Sequence, residues 1–396
     1  MKRLMFVTVL ALNWMFAPSA SAIWALTYTG GNNDGAGPEF DGLKATTTYY
    51  GCSVDANDEI NGFVTVKIKR PNQLGQYKVD VTVTHLGISK KITFKGMAQR
   101  DDQTGNVGIG DGLGNDLLSK TGNKLWLRAR QCVIWGRYDG FYFECARDFA
   151  KDGASQNAIN VATFMGNYAF SYCLYNPRGP FHGNMAVTAS VNAKGVAKVK
   201  GVLPDGQKFS YSTHVMVDAL GAYLPIFAQL YSQKMGGFGG FAMNLVTFKN
   251  KCNGDGYWDG TGAKSDRGGT VYQYTKGSGK VSGNMPTAGE DDIAPYDQQS
   301  GGDGWYWTQF NGYTLLENTL PSYKINYLGT KWIAPSNPSA LKLSFKAKTG
   351  EVTGSFNVMK SDGKKQKLTV HGVYMDNLSM LNAYAKEKGS LGFWIH

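Results

Sequence analysis

The chain is poor in charge, 18% of its residues, and carries only five histidines, five cysteines and twelve prolines. No Gly-x-Ser-x-Gly elbow, His-Glu-x-x-His pair or Gly-Lys-Ser/Thr phosphate loop occurs. The local signatures of serine hydrolases, zinc proteases and P-loop enzymes are therefore missing. GIGDGLG at 108 to 114 lacks the spacing of a dinucleotide fingerprint and reads as a turn-rich loop. No Cys-x-x-Cys spacing is present, which disfavours a cysteine-held metal site. No apolar run after the first residues reaches the roughly 20 that a spanning helix needs. No metal ligand set and no catalytic residue is assigned.

What is there begins with MKRLMFVTVLALNWMFAPSASA, in which Lys2 and Arg3 precede a short apolar core and Ala20-Ser21-Ala22 offers a cleavage point. This is the pattern of a secretory signal peptide over residues 1–22. The mature chain is expected to be exported to a periplasmic, cell-surface or extracellular site. Cleavage removes Lys2 and Arg3, so the net charge of +11 falls by 2 to +9. The basic excess is spread along the chain, which favours acidic partners such as anionic polysaccharide or a cell surface and does not single out nucleic acid. The 51 glycines and 13% aromatics fit a turn-rich β protein.

Of Cys52, Cys132, Cys145, Cys173 and Cys252, the best disulfide candidates lie in QCVIWGRYDGFYFEC, which reads as a hairpin. A turn centred on Tyr138-Asp139 sets Cys132 opposite Cys145. A tight turn on Asp139-Gly140 separates them.

A strand-turn-strand-turn-strand pattern occurs three times. Met185 to Val191, Val196 to Leu203 and Lys208 to Val215 alternate with period two and are parted by Asn192 to Gly195 and Pro204-Asp205-Gly206. Leu341 to Ala347, Val352 to Met359 and Gln366 to Tyr374 follow the same plan, with turns at Lys348-Thr349-Gly350 and Ser361-Asp362-Gly363. A looser copy runs over Phe63 to Lys69, Tyr77 to Thr84 and Lys91 to Met97. The Asp-Gly pairs are turn residues, not catalytic ones. Ala154, Ala158, Val161, Ala162 and Met165, between Asp152 and Gly166, predict one short linking helix. Residues 253 to 304, rich in Gly, Asp and Ser, read as long loops.

The Lys-Gly, Thr-Gly and Asp-Gly turn grammar of these three segments, near 60–100, 163–245 and 338–396, resembles repeats of uncharacterised secreted bacterial β-repeat proteins, often parts of large surface or adhesin-like chains. The resemblance implies a β scaffold and lends no catalytic residues.

The candidate binding residues lie in NGDGYWDGTG and GGDGWYWTQF: Asp255, Tyr257, Trp258 and Asp259, with Asp303, Trp305, Tyr306 and Trp307. Aromatic faces beside carboxylates suit sugars, whose C–H faces stack on rings while hydroxyls seek acceptors. The competing reading has Trp258, Trp305 and Trp307 plugging the ends of a sandwich or barrel. Asn253, Asp255 and Asp259 suggest an acidic calcium loop, but its twelfth position is Lys264 where a bidentate Glu is needed. Calcium is thus the one cofactor to consider. His85, His214 and His371 fall in or beside strands, as packing histidines do.

Together these features predict a mainly β protein of antiparallel meanders in β-sandwich or soluble β-barrel units. Residues 23–150 form an N-terminal unit with one three-strand repeat, and 151–396 a C-terminal unit with two. The expected function is a non-catalytic binding or structural protein of a bacterial envelope, holding glycan or another surface component. A secreted carbohydrate-active enzyme and an outer-membrane barrel are the alternatives.

Overall fold

The computed structural model describes residues 45–56, 60–86, 90–101, 106–110, 115–130, 133–148, 164–174, 181–217, 222–231, 240–246, 253–259, 268–273, 279–280, 290–296, 313–315, 323–328, 331–333, 339–360, 363–375, 378–385 and 389–395. They form strands arranged in three sheets.

The first sheet contains β1 (Thr46–Val54), β2 (Ile60–Pro71), β3 (Tyr77–His85), β4 (Ile92–Arg100), β5 (Val107–Ile109), β6 (Leu117–Leu118), β7 (Lys124–Ala129), β8 (Val133–Tyr138) and β9 (Phe141–Arg147). Its order is β5-β4-β3-β2-β1-β9-β8-β7, and β5 also pairs with β7, so eight strands close into a barrel. The short β6 continues the same edge, pairing Leu117 with Leu125 beyond the β5 contacts. Alternation explains the closure. In β3, Tyr77, Val79, Val81 and Val83 are buried while Lys78 is exposed, so one face of the strand points inward throughout. Each such valine contributes about 1.5 kcal/mol or more by leaving water. Tyr49, Val64, Val66, Ile68, Phe94, Leu125, Leu127, Ile134, Tyr138 and Phe143 join them in one apolar cluster. An eight-stranded barrel has room for such side chains and little else.

The second and third sheets use β10 (Gly166–Leu174), β11 (Phe181–His182), β12 (Met185–Val191), β13 (Val196–Val202), β14 (Lys208–His214), β15 (Met216–Val217), β16 (Ala222–Gln229), β17 (Gly240–Val246), β18 (Asn253–Asp259), β19 (Gly268–Gln273) and β20 (Gly279–Lys280). They continue with β21 (Glu290–Tyr296), β22 (Tyr313–Leu315), β23 (Tyr323–Tyr327), β24 (Lys331–Ile333), β25 (Lys342–Lys346), β26 (Glu351–Lys360), β27 (Lys365–Met375), β28 (Leu378–Ala385) and β29 (Gly389–Ile395).

The second sheet runs β14-β13-β12-β10-β19-β18-β17-β16-β15. Its two ends, β14 and β15, are successive pieces of one segment parted by Val215, so this sheet also comes round on itself. The third closes through β28 and β29 after the path β29-β21-β23-β24-β25-β26-β27-β28. β11 ties the last two together. Phe181 pairs in parallel with Ser390 of β29, while its side chain is buried in the second sheet's core.

The three predicted meanders are β2-β3-β4, β12-β13-β14 and β25-β26-β27, each antiparallel and hairpin-connected. Their turns show why the sequence folds so. Asn192 Oδ1 accepts hydrogen bonds from the Lys194 and Val196 amides at 2.9 and 3.1 Å, and Gly195, at φ 73°, donates back to the Asn192 carbonyl at 2.9 Å. Only glycine adopts that φ without strain, which fixes a type I turn closed by a glycine bulge.

Two expectations are corrected. Residues 253 to 304 are not all loop: β18, β19, β20 and β21 lie there. Glycines at 254 and 256 weaken strand propensity, but β17 and β19 on either side satisfy every position of the ladder from 255 to 259. Tertiary pairing outweighs propensity. The hairpin of β8 and β9 turns on Asp139-Gly140, so Cys145 faces Ile134 and not Cys132. Cys145 is a buried free thiol inside the first barrel. The Cys132 to Cys145 bridge is thereby overturned, Cys132 itself being outside the described residues. Asp139 decides the register: it takes φ 47° and its Oδ1 accepts the Lys124 amide at 2.9 Å. Residues 1–22 and most of the expected helix, 154–163, also lie outside the described residues.

Candidate functional site

With the first barrel filled, its chemistry is on the outside. The outward positions of β2, β3 and β4 present Lys67, Lys69, Arg70, Lys78 and Lys95, all exposed, with Thr65, Thr82 and Thr93 beside them. Across the strands Lys67 pairs with Asp80 and Asp80 with Lys95, so one acidic position lies between two lysine positions in the ladder. In the second sheet Lys198 faces Ser190 and Ser212, and Lys200 faces Thr188 and Ser210. In the third, Lys342 lines up with Ser355 and Thr369, and Lys346 pairs with Glu351 at 2.8 Å. Lysines set among hydroxyls offer charge and hydrogen bonds on flat faces. The signal was in the sequence as Lys-x-Lys at 67–69 and 198–200, each pair two residues apart and hence on one strand face. Reading the charge as merely dispersed missed that the fold collects it.

The residues singled out for sugar binding are placed as follows. Asp255, Tyr257, Trp258 and Asp259 belong to β18, inside the second sheet. Trp258 pairs with Phe241 on one side and Gly269 on the other, and Asp255 with Asn244 and Tyr272. Asp255, Tyr257 and Asp259 hold one set of alternate strand positions and Trp258 the other. Asp303, Trp305, Tyr306 and Trp307 lie outside the described residues. Among the described residues no group of three or more His, Cys, Asp or Glu side chains converges to hold a metal ion. No helix among them is long and apolar enough to cross a membrane.

A second polar locus sits where the first two barrels meet. Cys52, Val54, Phe63 and Leu86 of the first barrel form an apolar cluster with Phe227 of the second, and Tyr50 and Tyr211 pack against it. Phe63 stacks on Phe227 at 6.0 Å and meets the edge of Tyr211 at 5.9 Å. At its border His214 stacks over Tyr50, with centroids 6.0 Å apart, and its Nδ1 lies 3.5 Å from Asp148 Oδ2. Burial pushes the Cys52 thiol up to about 12, and raises the Tyr211 phenol, whose neighbours Cys52 and Tyr50 act in the same direction. Thiols so placed stay protonated and unreactive. Cys145 is raised chiefly by burial, then by the charges of Cys52 and Glu144. Cys52 pairs with Glu144 and Gly51 with Cys145, so the two cysteines project from opposite faces of their sheet. His371, on β27, is lowered by burial and by Lys208 of the second sheet, with Glu351 acting in opposition. Cys52 is thus a buried thiol of the seam and Cys145 one of the barrel interior.

The chain matches no known family and no curated protein. Among solved structures it aligns with DNA polymerase sliding clamps of Pseudomonas aeruginosa: one at 7% identity, with 89% of this chain and 91% of the clamp covered and a TM-score of 0.12. A griselimycin-bound form aligns at 8% identity, 89% and 90% coverage, and a TM-score of 0.12. Likeness at that level carries no argument about fold or activity.

Proposed function

We propose that the protein is a non-catalytic binding or structural protein of a bacterial envelope, exported by its N-terminal leader, that holds an acidic glycan or another anionic surface component on the outer faces of its barrels. One observation carries the reading: the interior of the first barrel is filled by its own side chains, which leaves lysine-and-hydroxyl faces outside as the surface available to a partner. An uronate, sulfate or phosphate group suits the ammonium ions, and neighbouring Ser and Thr hydroxyls suit sugar hydroxyls. The apolar inside and charged outside of that barrel favour this over a membrane-spanning one, whose outward band is apolar.

The test is a glycan array probed with mature protein, with Lys198→Glu/Lys200→Glu and Trp258→Ala variants beside the wild type. Saturable binding to acidic glycans, lost in the lysine variant, supports the reading. Loss in Trp258→Ala as well assigns stacking to β18. Release of shortened sugar products in the same incubations replaces the reading with a carbohydrate-active enzyme.

A further inference from the structure

Three turns of this fold are built alike. In Asn72–Gly75, Ser119–Gly122 and Asn192–Gly195 the first side chain accepts two backbone amides, and a glycine at φ 73°, 83° or 73° donates to the first carbonyl. The backbone therefore asks for Asn or Ser at the first position and Gly at the fourth. It asks nothing of the third, which is Thr121 in one turn and Lys194 in another, both exposed. In the turn joining β2 to β3 the third residue is Leu74, 81% exposed, the most exposed of the large hydrophobic side chains described. A bulky apolar side chain held in water at a position the turn leaves open calls for an apolar medium as its counterpart.

Its surroundings say which medium. Lys69 and Arg70 precede Pro71 at the end of β2, and Lys78 follows Tyr77 at the start of β3, so cations flank the tip on both strands. Met97, 43% exposed, lies on β4 directly across from Lys78. Lys67 and Lys95 form the next row, with Asp80 between them as the acid of the patch. An apolar tip with cations on the strands behind it matches the boundary of an anionic bilayer: the side chain enters the acyl region while the ammonium groups meet headgroup phosphates.

We infer that the β2–β3 hairpin tip is a docking point for an anionic lipid surface, with Leu74 inserted and Lys69 and Lys78 on the headgroups. The inference shares Lys69 and Lys78 with the lysine face of the glycan reading and adds Leu74, which that reading does not use, so vesicle binding and glycan binding are scored separately.

The experiment is co-sedimentation of the mature protein with phosphatidylglycerol-containing vesicles and with pure phosphatidylcholine vesicles, for wild type, Leu74→Lys and Lys69→Glu/Lys78→Glu. Leu74→Lys is the discriminating variant because it adds positive charge while removing the apolar tip, and the Asn192 turn already accepts lysine there. The expected result is binding to the anionic vesicles only, weakened about tenfold or more by Leu74→Lys and by the charge reversal alike. Unchanged or tighter binding by Leu74→Lys overturns the insertion. So does failure of the wild type to sediment with anionic vesicles at low salt. Matching thermal unfolding of the variants confirms that the turn itself is intact.

Discussion

His214, the last residue of β14, sets its Nδ1 3.5 Å from Oδ2 of Asp148, the residue after β9, so the second barrel meets the first through an imidazole and a carboxylate. The two ends of this contact are unequal. Asp148 is fully buried beside the equally buried Arg147, whereas the His214 side chain is 28% exposed. Asp148→Ala removes a fully buried carboxylate at the contact between the two sheets and is expected to cost about 3 kcal/mol. His214→Ala, at the wet end, is expected to cost about 1 kcal/mol or less. Urea unfolding of both variants, followed by hydrogen exchange in β1 and β9, checks the order. A cost of about 1 kcal/mol or less for Asp148→Ala as well would mean that the buried carboxylate has no structural role.

The aromatic part of the same seam gives a labelling experiment. Phe227 is 6% exposed and stacks on Phe63, covering the cluster that holds Cys52. Phe227→Ala should cost about 3 kcal/mol and open the seam. Cys52 is then expected to be alkylated by a maleimide under native conditions, where the wild type is inert, while Cys145 inside the barrel stays protected. Site-resolved mass spectrometry reads both. Equal labelling of the two cysteines would show the first barrel unfolding and not the seam parting.

Alkaline pH offers an independent measure of how dry that seam is. Burial raises Cys52 from 9.0 to about 12, so the folded state prefers the neutral thiol. The corresponding stability is fully present below pH 9 and is lost as pH rises from 9 towards 12. Cys145, Tyr138 and Tyr211 are raised in the same direction. Wild-type stability should fall through this window, and Cys52→Ala should fall less steeply. Identical slopes in chemical denaturation at pH 8 to 11 would show that Cys52 ionises without penalty, and hence that the seam admits water.

Strand placement was legible wherever the apolar period and the turn residues agreed. Val196 to Leu203 was read from Asn192, Gly195 and Pro204-Asp205-Gly206, and β13 occupies 196–202 between those turns. β18 was not legible, because Gly254 and Gly256 erase the period and its ladder depends on β17 and β19, neighbours that local sequence does not reveal. The β8–β9 register turned on one residue of turn placement, which moved Cys145 from Cys132 to Ile134. The surface lysines were visible as residues, but their gathering on outer faces follows from sheet pairing, a long-range property. The seam around Phe63 and Phe227 is longer-range still, since nothing local marks an outward aromatic as one that will be covered.

The closure of the first barrel rests on a glycine that its strand pattern does not explain. Gly51 pairs with Cys145 where β1 meets β9, the joint between the first and last strands of the barrel. A Cβ at that position would stand 1.8 Å from the Glu144 carbonyl oxygen and 2.6 Å from the Cys145 Cα, and both are backbone atoms that no side-chain rotation can clear. Gly140, in the neighbouring hairpin, has open space within 4 Å of the same added atom. Gly51→Ala must therefore push β1 from β9 and is expected to cost about 3 kcal/mol or more, whereas Gly140→Ala should stay within about 0.5 kcal/mol of wild type. Urea midpoints give the costs, and near-ultraviolet circular dichroism reports whether the Tyr49 and Tyr138 packing in the barrel survives. If the two alanines prove equally tolerated, β1 and β9 are held less closely than a closed eight-stranded barrel requires, and the first sheet is an open one whose edges other contacts must cover.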